Sequence, residues 1–231
     1  MKTEELKDLL AGRTIKDQLK ELVRRFPGEV LFTTSFGIED QVISHIIFEN
    51  KIPIEVATLD TGRLFPETYK VFSDTIKRYK KSINVYFPDH EALEKMMTKK
   101  GPFSFYYSKD DRLECCRIRK LVPLNRALNG KKCWISGIRA SQSDNRRQMD
   151  WIELDEERQL FKFYPLFDWS LEDVEKFIKE NDIPYNALHD RGFVSIGCEP
   201  CTRAVEKGAD FRSGRWWWEA GSLKECGLHI K

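Results

Sequence analysis

Four short apolar runs, each followed by a turn of small or polar residues and then a helical stretch, limit what this chain can fold into. They cover residues 29–34, 54–59, 83–87 and 132–136. Runs this short, rich in β-branched and aromatic residues, read as strands, and strands alternating with helices read as βαβ units around a parallel sheet. The chain to about Phe26 reads as helical, with Leu6, Leu9 and Leu10 and then Leu19, Leu22, Val23 and Phe26 at helical spacing. Thr14 and Asp17 mark a fresh helix start after Gly12. Past Asp150 the pattern weakens. Only a helix opened by Ser170 and Asp173 and carrying Val174, Phe177 and Ile178 stands out, and the remainder, rich in Gly, Arg and Trp, reads as irregular. The 231 residues suffice for one sizeable core. The expectation is therefore an α/β protein with a mostly parallel central sheet. It forms one domain over 1–231, with its core over about 26–205 and a mobile C-terminal tail over about 206–231.

A third of the residues are charged, yet the net charge is only +2. Composition therefore gives no case for a nucleic-acid partner or a membrane surface. No apolar run approaches the roughly 20 residues of a membrane span, and the first residues lack a signal-peptide apolar stretch, so the expected location is cytoplasmic.

In parallel sheets of this kind ligands bind beyond the carboxyl ends of the strands. After the first run come Thr34, Ser35, Phe36 and Gly37, then Glu39 and Asp40 at the start of a helix. Backbone amides of such a turn can hold an anion, although many strand–helix turns look similar, and the two acids also suit a helix N-terminus. The turn lacks the Gly-Lys-Ser/Thr ending of a P-loop. After the second run come Leu59, Asp60, Thr61, Gly62 and Arg63, and after the fourth Gly137 and Arg139. Arg212 and Arg215 precede three consecutive tryptophans, which read as packing. Any one of these arginines is explained as an ordinary surface cation. Together they fit a dianionic substrate, because the planar guanidinium matches phosphate and sulfate oxygens.

Six cysteines complete the picture. In a reducing compartment clustered cysteines favour metal ligation or catalysis over disulfides. Cys115 and Cys116, ahead of a helical stretch over 117–128, and the Cys198-x-x-Cys201 loop offer four thiolates, suited to a structural zinc or a cubane iron–sulfur cluster. Adjacent cysteines are awkward on one ion and favour the cubane, which presents separate irons. Cys133 lies within a strand-like run and reads as core. Cys226 is the candidate nucleophile, with Lys224, His229, Arg212 and Arg215 available to lower its pKa.

These residues resemble those of the assimilatory sulfonucleotide reductases, in particular the iron–sulfur adenylylsulfate (APS) reductases. The resemblance runs from about Ser35 to His229. It rests on SFGIED (35–40), LDTGRLFPET (59–68), ECCRIRK (114–120), GIRASQS (137–143), DWSLEDV (168–174), PYNALHDRGFVSIGCEPCTRAV (184–205), GRWWWE (214–219) and KECGLH (224–229). It implies an adenine-nucleotide α-hydrolase-like fold and one 4Fe–4S cluster on Cys115, Cys116, Cys198 and Cys201. It also implies thioredoxin-dependent reduction of APS to sulfite and AMP, in sulfate assimilation and cysteine biosynthesis, through an S-sulfonate on Cys226. By position Lys120 and His229 join Cys226 in catalysis, Arg139, Arg212 and Arg215 hold the phosphosulfate, and the loops at 34–40 and 59–63 with Gly137 hold the nucleotide. The 3′-phosphorylated substrate PAPS, alone or beside APS, is the close alternative, with Glu39 and Asp40 placed to repel the extra phosphate. A cluster-bearing ATP pyrophosphatase acting on tRNA is more remote, because the first loop lacks its Ser-Gly-Gly-x-Asp; a zinc-binding module is the non-enzymatic rival. Self-association into a homo-oligomer stays open.

Overall fold

The Thr14 hydroxyl accepts a hydrogen bond from the Asp17 amide and starts the second helix where the sequence expects it. The structure, a computed structural model, describes residues 1–206, 208 and 210–219. Helices α1 (Thr3–Leu10) and α2 (Ile15–Arg25) precede strand β1 (Val30–Thr33). Then come α3 (Ile38–Glu49), β2 (Glu55–Leu59), α4 (Pro66–Tyr79) and β3 (Asn84–Tyr86). Helices α5 (His90–Lys100), α6 (Lys109–Cys116) and α7 (Val122–Leu128) lead to β4 (Cys133–Ile135). The last third carries α8 (Asp144–Arg147), β5 (Ile152–Asp155), β6 (Leu160–Phe163) and α9 (Leu171–Glu180).

The strands form one sheet in the order β3-β2-β1-β4-β6-β5. β1 runs parallel to both β2 and β4, with Phe32 opposite Val56 on one side and Ile135 on the other. β6 continues parallel to β4, and β5 turns back antiparallel on β6. The four expected strands are β1 to β4. β5 and β6 fall in the stretch the sequence reading left irregular, because charged residues interrupt their apolar pattern. Lys162 and Asp155 are both buried and meet at 2.9 Å, with Arg158 also on Asp155, so the charges are paired with each other.

The chain divides into two units. The first comprises Met1–Thr58, Glu67–Asn84 and Gly130–Asn186. Its core gathers Leu6, Leu10, Leu19 and Leu22 from α1 and α2, the inward residues of β1, and nearly all of α3. Cys133 is fully buried there with its thiol pKa raised by burial, as expected of a small core residue. The second unit comprises Leu59–Pro66, Val85–Asn129 and Ala187–Lys231. Its buried cluster is built around sulfur: Cys115, Cys116, Cys198 and Cys201 pack with Met96, Phe105, Ile118 and Trp216. Among the described residues no helix is long and apolar enough to cross a membrane.

Candidate functional site

In the first unit the order of strands reverses at β1: the chain moves outward through β2 on one side and returns through β4 on the other. The crevice at such a switch point is where open α/β sheets bind ligands. The loop 34–40 follows β1 and the segment 137–139 follows β4, so both stand at this point. Thr34 Oγ1 accepts from the Phe36 amide at 3.0 Å, and Phe36 takes a left-handed backbone with φ of 59°. That turn sends the Phe36 ring into the core against Phe72, at 4.8 Å between centroids. Gly37 then starts α3 with no side-chain cap, which leaves first-turn amides to serve an anion.

The two acids of this turn are both buried and both engaged. Asp40 Oδ2 accepts from the Ser35 amide at 2.6 Å and from its hydroxyl at 2.7 Å. Burial raises the Asp40 carboxyl to about 6 against these hydrogen bonds and one from the Gly137 amide, all of which act to lower it. Glu39 Oε1 accepts from Arg139 Nε and Nη2 and from Gln142 Nε2, each at 2.9 Å. Arg139 is 2 % exposed, and its charge is met by Glu39. Glu39 thus fastens the β4 loop to the start of α3, and Asp40 holds the Ser35 turn. A Cβ on Gly137 would stand 2.4 Å from Asp40 Oδ1 and 3.0 Å from Glu39 Cβ, so this close approach requires glycine.

In the second unit the loop 59–63 is an Asx-type turn. Asp60 Oδ1 accepts from the Gly62 amide at 2.8 Å, and Gly62 takes φ of 68°. The turn places Thr61 Oγ1 3.3 Å from Cys198 Sγ and aims its carbonyl at Arg119 Nη1, 2.6 Å away. The Arg63 carbonyl accepts from the Glu199 amide at 2.8 Å, and its guanidinium lies 5.0 Å from the Phe105 ring centre. The loop is thus fastened to the Cys198-x-x-Cys201 segment, whose last three residues form a short 3₁₀ turn (Glu199–Cys201).

The cysteine pair precedes the helical stretch over 117–128 that the sequence predicts, and it also ends a helix of its own. Cys115 and Cys116 close α6, and the helical run continues through a π-type segment (Arg117–Leu121) into α7. The four cysteines form no disulfide, are buried, and line one cavity together with Arg63, Arg112, Arg119, Lys120 and Arg215. Among the described residues no carboxylate lines it. Burial pushes the Cys201 thiol up to about 12 and raises Cys115, although Arg119 and Arg63 act to lower the latter. Buried Nη1 of Arg63 and of Arg112, Nε of Arg119 and Nε1 of Trp216 have no hydrogen-bond partner among the described residues. Among those residues no three His, Cys, Asp or Glu side chains are arranged to hold a single metal ion.

Arg215 is seated over this cavity by a glycine. It donates from Nε to the Cys201 carbonyl at 3.3 Å, and a Cβ on Gly197 would stand 2.4 Å from its Nη2. Arg212 lies 5.7 Å from the centre of the Trp216 ring, Arg215 at 4.8 Å and Arg112 at 4.6 Å. Trp216 is buried, as the packing reading of the tryptophan run expects. Cys226 and His229, the sequence-nominated nucleophile and its partner, lie outside the described residues, as does Lys224. Within each unit the remaining nominated residues come together: 34–40 with Gly137 and Arg139 in the first, 59–63 with the four cysteines, Lys120, Arg212 and Arg215 in the second.

Arg112, Arg119 and Trp216 were not nominated from sequence. The signal was present for two of them: 112, 115, 116 and 119 follow the i, i+3, i+4, i+7 spacing of one helix face, so cysteines on that face bring both arginines with them.

A switch-point sheet of this order places the chain in the adenine-nucleotide α-hydrolase-like class of α/β proteins. A likeness of fold alone links it to yeast FAD synthetase (TM-score 0.56, 18% identity, 87% of this chain and 67% of that one). The phosphoadenylyl-sulfate (PAPS) reductase of Candida auris is nearer, at 30% identity and TM-score 0.74 over 88% of this chain and 96% of that one. The chain belongs to the phosphoadenosine phosphosulfate reductase domain family, whose model matches residues 29–204. Among curated relatives, the adenosine 5′-phosphosulfate reductase of Agrobacterium fabrum (strain C58) is 44% identical over 228 residues, covering 99% of this chain and 87% of that protein. The protein of the same name from Allochromatium vinosum is 44% identical over 212 residues, covering 92% and 83%.

Proposed function

We propose that this protein is an adenylylsulfate reductase that converts APS to sulfite and AMP with a reduced thioredoxin as electron donor. The observation that carries the reading is the cavity on which four cysteines and five basic side chains meet, with no carboxylate among the described residues. Relatives named for APS reduction across nearly the whole chain support the choice of substrate.

The cavity fits a 4Fe–4S cluster held by Cys115, Cys116, Cys198 and Cys201. Four thiolates around such a cluster carry net negative charge, which the basic lining balances and the unpartnered donors of Arg63, Arg112, Arg119 and Trp216 can meet. Adjacent side chains such as those of Cys115 and Cys116 diverge, and suit a body with four irons better than a zinc ion. When bound, the cluster supplies a fixed, polarisable anionic body to a cationic pocket.

The protein's own residues perform the reaction. In the first unit the α3 first turn and the Ser35 loop bind the nucleotide, and Arg139 serves by fixing the β4 loop to Glu39. Lys120, Arg212 and Arg215 supply positive charge for an anionic group, so that a thiolate can approach it. The Cys226 thiolate attacks the sulfate sulfur, the bond from sulfur to the phosphate oxygen breaks, and AMP leaves with its electron pair. A thioredoxin thiolate then attacks Cys226 Sγ, sulfite departs with the electron pair, and the second thioredoxin thiol resolves the mixed disulfide.

The likeness to the Candida auris enzyme keeps PAPS as the second reading. Sulfite release from APS and from PAPS, measured with reduced thioredoxin, decides between them. We expect kcat/KM to favour APS by at least about tenfold. Equal use of both makes the protein a dual reductase, and no sulfite from either by metal-loaded protein overturns the proposal.

A further inference from the structure

The chain changes direction sharply at Trp216. This bulky residue takes φ of 43°, a conformation that costs of order 1–3 kcal/mol and persists only where its surroundings impose it. Its ring is 1 % exposed and has Arg112 and Arg215 within 5 Å of its centre. Its carbonyl accepts from the Glu219 amide at 2.9 Å, closing a turn over 216–219. Glu219 in turn accepts from Arg112 through both oxygens, from Nε at 2.5 Å and from Nη2 at 3.0 Å. Arg112 is 1 % exposed and sits one helical turn before Cys115 and Cys116. A bidentate pair with one partner this deeply buried has little freedom and is costly to break from one side.

We propose that Arg112 and Glu219 form a clasp that ties the C-terminal segment to the cysteine helix, with Arg112 as the positioning residue for the approach of Cys226. Cys226 follows Glu219 by seven residues, so the anchored turn limits where the thiol can reach. Glu219 does not line the cysteine cavity, which separates its role from that of the metal ligands. The inference rests on the proposed function for its catalytic consequence but not for its structural one.

The test uses the metal-loaded full chain with Glu219→Ala and, as rescue, Glu219→Asp. Hydrogen exchange over 212–219, AMP affinity, iron content and the single-turnover rate of S-sulfonate formation are measured together. In Glu219→Ala exchange should rise and the rate of adduct formation fall by about 10- to 100-fold, with AMP affinity and iron unchanged and a partial return in Glu219→Asp. Unchanged exchange overturns the clasp. Raised exchange with a wild-type rate overturns the positioning role. If the wild type itself forms no adduct, the proposed function falls instead, and exchange alone decides the clasp.

Discussion

Gly137 and Asp40 show how little room the nucleotide loops leave at the level of single atoms. A methyl at Gly137 must displace Asp40 Oδ1, and with it the carboxylate that holds the Ser35 amide and hydroxyl. Gly137→Ala is expected to cost about 1–3 kcal/mol in denaturant unfolding and to weaken AMP binding by titration calorimetry. Asp40 itself makes stability depend on pH. Its folded-state pKa is raised from 3.8 to about 6, so the folded protein holds the proton more tightly than the unfolded chain. Its penalty is absent below about pH 4 and complete above about pH 6. Relative to wild type, Asp40→Asn should gain about 1 kcal/mol of unfolding free energy between about pH 5 and about pH 7. A gap between the two proteins that stays constant over that range contradicts the assignment. At this scale the sequence disclosed which residues gather at the strand ends and around the thiols, because Cys, Arg and Gly there stand out from the apolar runs. It did not disclose that Glu39 and Arg139 satisfy each other, since their separation of 100 positions is closed only by the sheet.

At the level of elements, the helical run over 109–128 holds the second unit's site together. The π-type segment Arg117–Leu121 widens the helix just after the cysteine pair and sets where Arg119 and Lys120 fall relative to it. Deleting exposed Arg117 removes the extra residue of this turn and restores regular winding, which shifts the residues within it relative to the cysteine pair and leaves α7 in place. Helix content by circular dichroism should hold while bound iron falls; retained iron would show that the widened turn is not what places the cationic lining. The bulge was not legible beforehand, because α and π turns share the same apolar residues and differ by one position of register. The β5–β6 pair was hidden for another reason: its buried Lys162 and Asp155 look like loop charges until they are seen to pair. The strands β1, β2 and β4 were plain, being short, apolar and bounded by glycine turns.

At the scale of the whole molecule, each unit contributes a chemically distinct part. The first holds a switch-point crevice beside a helix start with no side-chain cap; the second holds sulfur and positive charge. The fold class and the sulfur chemistry were both readable from the sequence, because βαβ alternation and paired cysteines are rare outside those uses. The deep burial of Arg112, Arg119 and Arg215 around the thiols was not, because burial is a property of packing. Anaerobically purified protein should contain about four irons with acid-labile sulfide per chain, and one zinc without sulfide would exclude the cluster. The most direct test of the reaction itself is incubation of the reduced, metal-loaded protein with sulfur-35-labelled APS in the absence of thioredoxin. The proposed mechanism requires label that survives denaturing electrophoresis on the wild type, disappears in Cys226→Ser, and is released as sulfite when reduced thioredoxin is added. A wild type that retains its iron yet takes up no label, or a Cys226→Ser variant that labels equally, would contradict it.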